Sequence, residues 1–401
     1  VTVAIEPAGA KASAGATIER KDAHLDLCST ASVEPSQNDS LLSCVQLVHC
    51  AMPEMALEEV VLSTSFFGKT IRAPLLVCGM TGGSKRAERV NRALAEQAEQ
   101  HGLAFGVGSQ RAMIEDPQCA SSYAVRDVAP KTVLIGNVGL ATAASIGVDG
   151  VRNLMDEIDA DAIALHLNAA QELTQPEGDR DFRNGYRIIE SLARCLGGRL
   201  LVKETGCGIG PRVALRLFDS GVELIDVSGL GGTSWVRVEQ FRASGVAADV
   251  AEHFASWGIP TAAAVASVRR AVGDRLTIVA SGGLRTGLDV AKALAVGADL
   301  GGMALPLFRA LEAGGPERVD QSIRVIVAQL RQALLLTGSR TPQELRQSPV
   351  VITGALSDWL AGLGSASVGD GLGNDCLLPK ECRIAQRYRD RPELVRGGPI
   401  V

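Results

Sequence analysis

Eight short apolar runs, helix-like segments between them and a polar or glycine-rich close to each run predict an α/β fold of the (β/α)8 TIM-barrel type. An N-terminal arm precedes the barrel, and a C-terminal helical extension follows it. Composition points the same way: 46% of the 401 residues are apolar but only 3% are aromatic, so the core is Ala, Val, Leu and Ile. Such residues suit parallel strands buried on both faces. A doubly wound open sheet would use the same runs, but eight of them in steady alternation with helices fit a closed barrel better.

Residues 1–16 are small and featureless and are expected to form a disordered leader. In Glu19-Arg-Lys-Asp-Ala-His-Leu-Asp-Leu27, charges alternate with Leu. That pattern describes either a solvated turn or an arm that carries Arg20, Lys21 and His24 onto an anionic ligand. The barrel begins with a short strand at 74–79, which runs into Met80-Thr-Gly-Gly83. Ser84 then caps a helix with Val90, Leu94 and Ala98 on one face, and Gly102 closes it. Strands follow at 103–107, ending in Gly108-Ser-Gln-Arg111, at 133–137, ending on Asn137, and at 161–167. The fifth, 200–203, runs into Glu204-Thr-Gly-Cys-Gly208, and the sixth, 223–227, precedes Ser228-Gly-Leu-Gly-Gly-Thr-Ser-Trp235. The seventh, 276–280, ends in Ser281-Gly-Gly-Leu-Arg285, and the eighth spans 299–304. Helices are expected at 187–196, 211–220, 261–272 and 288–296. Residues 306–363 read as helical, with an amphipathic stretch at 324–335 and a further turn opening at 342. The tail, 364–401, is rich in Gly, Asp, Arg and Pro and is expected to be an irregular extension. One catalytic domain, residues 17–363, therefore lies between leader and tail.

Net charge of −5 argues against a nucleic-acid or anionic-membrane surface. No apolar run approaches the roughly 18 residues of a membrane-spanning helix. Glu6 and Lys11 among Ala and Gly do not make a secretory signal. Nine scattered cysteines without CxxC spacing read as reduced thiols, which places the protein in the cytoplasm. Cys376 and Cys382 are a candidate late bridge or metal pair, but zinc patterns need further ligands.

Parallel barrels place their chemistry where the strands end. Ser281-Gly-Gly-Leu-Arg285 and Gly301-Gly-Met-Ala304 supply bare backbone amides after strands seven and eight, the usual phosphate grip of this fold. Lys203 closes an apolar strand, so its ammonium is expected in the barrel mouth, where a cation suits the N1 edge of a flavin. The alternative is a structural pair with Asp226 or Glu204. Thr81, Ser109, Asn137 and Ser228 are uncharged donors and acceptors at the mouth, as a heterocyclic ring edge requires. His166 and Asn168, two apart, share one side of a strand. Glu172 is either a helix-cap residue or a hard oxygen ligand for Mg2+, which needs few protein carboxylates beside a diphosphate. Cys207, between glycines, reads as a small buried filler.

Seven ordered motifs now stand together: Arg20-Lys-x-x-His24, Met80-Thr-Gly-Gly83, Gly108-Ser-Gln-Arg111, His166-Leu-Asn-x-x-Gln-Glu172, Lys203-Glu-x-Gly-x-Gly208, Asp226-Val-Ser-Gly-x-Gly-Gly-Thr-Ser-Trp235 and Ala280-Ser-Gly-Gly-x-Arg285. From about residue 18 to the close at Val351-Ile-Thr-Gly-Ala-Leu-x-x-Trp359, the chain resembles type II isopentenyl diphosphate isomerase. The resemblance implies an FMN- and Mg2+-dependent barrel enzyme that interconverts isopentenyl and dimethylallyl diphosphate. It implies NADPH as flavin reductant only, and a homotetramer or homo-octamer. By motif, Thr81, Gly82, Ser109, Asn137, Lys203, Ser228, Thr233, Gly282, Gly283, Arg285 and Ala304 would hold FMN. Arg20, Lys21, His24, Arg111, His166 and Asn168 would grip the diphosphate, with Gln171 beside the hydrocarbon and Glu172 on the metal. Catalytic roles fall to Gln171, His166 and Lys203, with reduced FMN as the acid–base group. The leader and the tail exceed the family's usual span, and the low aromatic count leaves the prenyl lining unassigned. The alternatives are a flavin-dependent 2-hydroxy-acid oxidase, a homologue acting on another prenyl diphosphate, and a barrel that has lost catalysis.

Overall fold

The computed structural model describes residues 14–35 and 40–365. Eight parallel strands close on themselves: β1 (Leu75–Val77), β2 (Ala104–Gly106), β3 (Leu134–Gly139), β4 (Ala162–Leu167), β5 (Leu200–Glu204), β6 (Leu224–Asp226), β7 (Thr277–Ser281) and β8 (Leu300–Met303). Closure is made by β8 against β1, with Gly301 opposite Leu75 and Met303 opposite Val77. Each expected run is one of these strands, and helices connect them around the outside.

Two apolar layers hold the barrel. Side chains alternate along each strand, so Ala164 and Leu201 fill the interior while Leu165 and Val202 face the helices. The interior layer is small: Leu76, Cys78, Ala104, Ile135, Leu224, Val279 and Leu300 complete it. A hairpin of Thr64–Phe66 with Lys69–Ile71 turns on Phe67 and Gly68, both at positive φ. Its Phe66 and Ile71 stop the barrel's lower end.

The helix after β1, Lys85–His101, is bounded as its sequence dictates. Ser84 Oγ accepts the Ala87 N–H at 3.1 Å, and Gly102 leaves the helix at φ 63°. The 261–272 helix also falls where expected.

Two segments differ from the sequence reading, and a third, expected to be helical, is so with a bend. The charged stretch near residue 20 is not a solvated turn but an arm formed by a helix, Ala14–Thr30. Leu25 and Cys28, three apart, bury one face of it, and Arg20 and Lys21 turn inward rather than to solvent. In the extension, Leu305–Leu336 is one long helix bent at Gly314, Gly315 and Pro316. Within the stretch expected to be helical, Val350–Ile352 instead pairs antiparallel with Val45–Leu47. Its β-branched run suits a strand once a partner edge is present. Residues 1–13 of the leader, 366–401 of the tail, and Cys376 and Cys382 lie outside the described residues. Among the described residues, no helix is long and apolar enough to cross a membrane.

Candidate functional site

A cleft opens above the C-terminal ends of the strands, roofed by the 14–30 helix. Arg20, Lys21 and His24 reach into it from that helix. Thr81, Ser109, Arg111, Asn137, His166, Asn168, Gln171, Glu172 and Lys203 line it from the strand ends, loops and short helices below. The structure thus brings every expected diphosphate contact into one space with four of the expected flavin contacts.

The register of β3, β4 and β5 sets the floor. Gly139 lies opposite His166, and His166 opposite Lys203. A Cβ on Gly139 would stand 2.8 Å from His166 Nε2, so this position has room only for glycine. His166 Nδ1 meets Asn137 Oδ1 at 2.8 Å; because that oxygen only accepts, Nδ1 carries a hydrogen. Burial, with Lys203 and Lys21 nearby, holds the imidazole down to about 3. His166 is therefore a neutral donor at physiological pH.

Around it stand three cations, two of them paired with acids outside the cleft. Lys21 Nζ donates to Ser109 O at 2.6 Å and to Tyr123 Oη at 2.8 Å. Burial first, and then Arg20, pull the Lys21 ammonium down to about 7. Arg20 has Glu177 at 3.1 Å, and Arg111 has Glu115 at 2.8 Å. Both acids lie outside the cleft lining. A site with this excess of fixed donors is built for a polyanion.

Glu239 carries no mark in the sequence, yet it is 1% exposed and organises the far wall. Its Oε1 accepts from Gln175 at 2.6 Å and Gln171 at 3.2 Å, and lies 2.9 Å from His24 Nε2, off the line of a hydrogen bond. Its Oε2 accepts from Arg242 at 2.6 Å. Burial opposes its ionisation, but His24, Gln175 and Arg242 outweigh burial and hold the carboxyl down to about 2. Burial pulls His24 below its usual value while Glu239 pulls it up. Ionised Glu239 is the firmer assignment, because Arg242 and two amides remain whichever form His24 takes. Trp235 packs edge-on against His24, with ring centroids 5.2 Å apart, and with Leu25, Cys28 and Met80 supplies the apolar wall that composition alone left unassigned.

Glu172 sits at the rim. Its Oε1 accepts from Asn168 at 2.9 Å and its Oε2 from the Asp179 N–H at 2.8 Å. Among the described residues, no three His, Cys, Asp or Glu groups converge on a metal position. A cation here would take one carboxylate and complete its shell from ligand oxygens and water.

The remaining expected flavin contacts lie apart, beyond Lys203. The Ser228–Thr233 loop stacks on Gly282 and Gly283: a Cβ on Gly282 would come within 2.0 Å of Gly229 O, and one on Gly232 within 2.9 Å of Gly283 N. Gly282 and Gly283, at φ 102° and 88°, require glycine on conformational grounds too. Ala304 precedes the 305–336 helix. Gly82 is needed for packing, since a Cβ there would strike the Tyr123 ring at 1.9 Å. Arg285 does not line the cleft: its guanidinium is bound to Glu34 and to Leu284 O. Lys203 Nζ donates to Glu204 O at 2.5 Å while facing the cleft. The Glu204 carboxylate in turn accepts the N–H groups of Thr205, Gly206, Cys207 and Gly208. Burial pushes the half-buried Cys207 thiol up to about 12, which leaves it inert. A bound flavin fits one further observation: Thr81 Oγ1 is buried without a hydrogen-bond partner, the state of a group that awaits one.

The family model described as FMN-dependent dehydrogenase matches residues 152–352. The isopentenyl-diphosphate delta-isomerase of Pyrococcus furiosus is 41% identical over 353 residues, covering 86% of this chain and 89% of its own. That of Methanosarcina barkeri is 42% identical over 354 residues, covering 87% and 95%. Among solved structures, a mandelate oxidase superposes with a TM-score of 0.58 at 18% identity, over 82% of this chain and 95% of its own. Flavocytochrome b2 does so with 0.62 at 16%, over 94% and 89%. At those identities the structural likeness speaks for the fold alone.

Proposed function

This chain belongs to the FMN-dependent isopentenyl-diphosphate delta-isomerase family, and from that membership we propose that it interconverts isopentenyl and dimethylallyl diphosphate. The observation that carries the reading is the buried cationic pocket of Arg20, Lys21 and Arg111 around neutral His166, next to the unpartnered Thr81 hydroxyl. The cations and the Asn168 amide take the diphosphate, with neutral His166, its Nδ1–H held by Asn137, packed against it. Glu172 takes Mg2+ shared with that diphosphate. Thr81, Ser109, Asn137 and Lys203 take the ring of FMN, while the stacked glycine loops and Ala304 take its phosphate. NADPH serves only to reduce the flavin.

Moving a double bond adds a proton at one carbon and removes one from another, and FMN, once reduced, supplies the group that exchanges them. The chain's residues bind, orient and shield. Lys203 puts positive charge at the ring edge, and Gln171, braced by Glu239, faces the hydrocarbon. The 14–30 helix closes the roof and keeps water from a cationic transition state. We assign a homotetramer or homo-octamer in the cytoplasm by the same membership.

An anaerobic assay of isopentenyl diphosphate, omitting FMN, Mg2+ and NADPH in turn, tests the whole reading. Loss of isomerisation on each omission is expected, and net oxidation of a 2-hydroxy acid instead would replace it. Glu172→Gln tests the metal assignment. Mg2+ and diphosphate affinity should fall together, by about tenfold or more for one lost charged ligand, while FMN stays bound. Unchanged Mg2+ dependence would reject it.

A further inference from the structure

Directly across from Lys203, on the neighbouring strand β6, stands Asp226. It is fully buried, and with Cys78, Asn137 and Lys203 it bounds a small void beneath the cleft floor. Every hydrogen bond to its carboxylate is a donation into it. Ser281 Oγ reaches Oδ1 at 2.7 Å and Oδ2 at 2.9 Å, and the Ser228 N–H reaches Oδ1 at 3.0 Å. Ser228 is held at φ 38°, an unfavourable backbone state for a non-glycine residue, and in that state its N–H points at the carboxylate. Burial, the largest influence, pushes the Asp226 carboxyl up overall, and Lys203, Ser281 and Ser228 oppose it by favouring the charged form. The Ser228 N–H can only donate, and the single Ser281 hydroxyl hydrogen is shared between the two oxygens; with Lys203 opposite, these partners favour an ionised group.

Asp226 is thus anchored where it cannot swing up to pair with Lys203, whose Nζ is turned toward Glu204 O. A fixed negative charge one strand away, buried inside the barrel, acts on the same point as the lysine with less than aqueous screening. We propose that Asp226 is a built-in counter-charge to Lys203, a positioning residue that sets the electrical potential at the flavin's pyrimidine edge and hence the potential at which the flavin is reduced. This rests on the reading that Lys203 meets that edge. The bland role, a strap tying the ends of β6 and β7 through Ser281, would hold the fold together without moving that potential.

The test is an anaerobic redox titration of FMN-loaded protein against reference dyes, with FMN affinity measured alongside, for wild type, Asp226→Asn, Ser281→Ala and Lys203→Gln. Asp226→Asn keeps the hydrogen-bonding shape and removes the charge. The reduced ring then gains at least tenfold in its equilibrium against the oxidised ring, a midpoint about 30 mV more positive for a two-electron couple. Ser281→Ala strips the shared hydroxyl donation from the carboxylate, so its midpoint rises as well, and more at low pH than at high. Lys203→Gln moves the midpoint the opposite way. A folded, FMN-loaded Asp226→Asn with the wild-type midpoint overturns the proposal. If that variant does not fold, a Ser281→Ala midpoint equal to wild type at every pH overturns it instead. A Lys203→Gln variant unchanged in both FMN affinity and midpoint shows that the flavin does not meet Lys203, which removes the underlying placement rather than the role of Asp226 alone.

Discussion

Lys21 shows how far a single side chain is governed by its surroundings. Its ammonium is held at about 7, by burial first and by Arg20 next, against an ordinary value near 10.5. A lysine lowered on folding opposes the folded state while charged, so the stability of the unliganded protein should rise as pH climbs from about 7 toward 10.5. A diphosphate restores the charged form. Binding above pH 7 should therefore take up close to one proton, and affinity should fall about tenfold per pH unit until the value in the complex is reached. Calorimetry in buffers of different ionisation enthalpy reads the uptake directly, and Lys21→Met should abolish it. Uptake that persists in that variant assigns the proton to another group. At this scale the sequence told much: Lys21, His166, Asn168 and Lys203 stand out as polar residues in motif or at strand ends. Glu239 and Tyr123 do not, because a lone acid on a short helix and a lone aromatic have no local pattern. Only the cleft shows that Glu239 braces Gln171 and that Tyr123 supports Lys21.

The 14–30 helix depends on what ties it down more than on its own propensity. Its last turn is held by Arg309, which donates to Cys28 O and Ala31 O at 3.0 Å each and to Glu34 at 2.9 Å. Glu34 also engages Arg285 in the loop after β7, so the arm and the glycine-rich loop share one carboxylate. Arg309→Met should release the arm. Trypsin cleavage at Arg20 and Lys21 should accelerate, and KM for the diphosphate should rise about tenfold, or ~1.4 kcal/mol, with FMN affinity retained. Equal protease resistance in variant and wild type would deny Arg309 this role. The element was hard to read in advance because its inward charges disguise a helix. Arg20 and Lys21 occupy positions that a solvent-facing pattern would assign to the outside, and only the cleft they serve explains the inversion. Val350–Ile352 was hidden for a different reason: its partner, Val45–Leu47, lies some 300 residues away in the chain.

For the molecule as a whole, the barrel interior is a separate aliphatic layer that an aromatic hairpin closes from below. Phe66 is 2% exposed at that lower end. Phe66→Ala should cost about 3–5 kcal/mol of stability, as for other large aromatic truncations. It should leave activity per folded molecule intact, since the site lies at the opposite rim; denaturant titration beside a specific-activity measurement checks both halves. By itself, the sequence determined the eight strands, their order, most of the helices and the residues offered at each strand end, because strand alternation, caps and glycine breaks are local physics. Tertiary structure alone decided which of those offers meet. It set His166 against Lys203 through strand register, turned Arg285 away to Glu34, and buried Glu239 and Asp226 as supports beneath and beside the cleft. Contact between distant segments, and the loss of water that gives a buried charge its force, exist only once the barrel has closed.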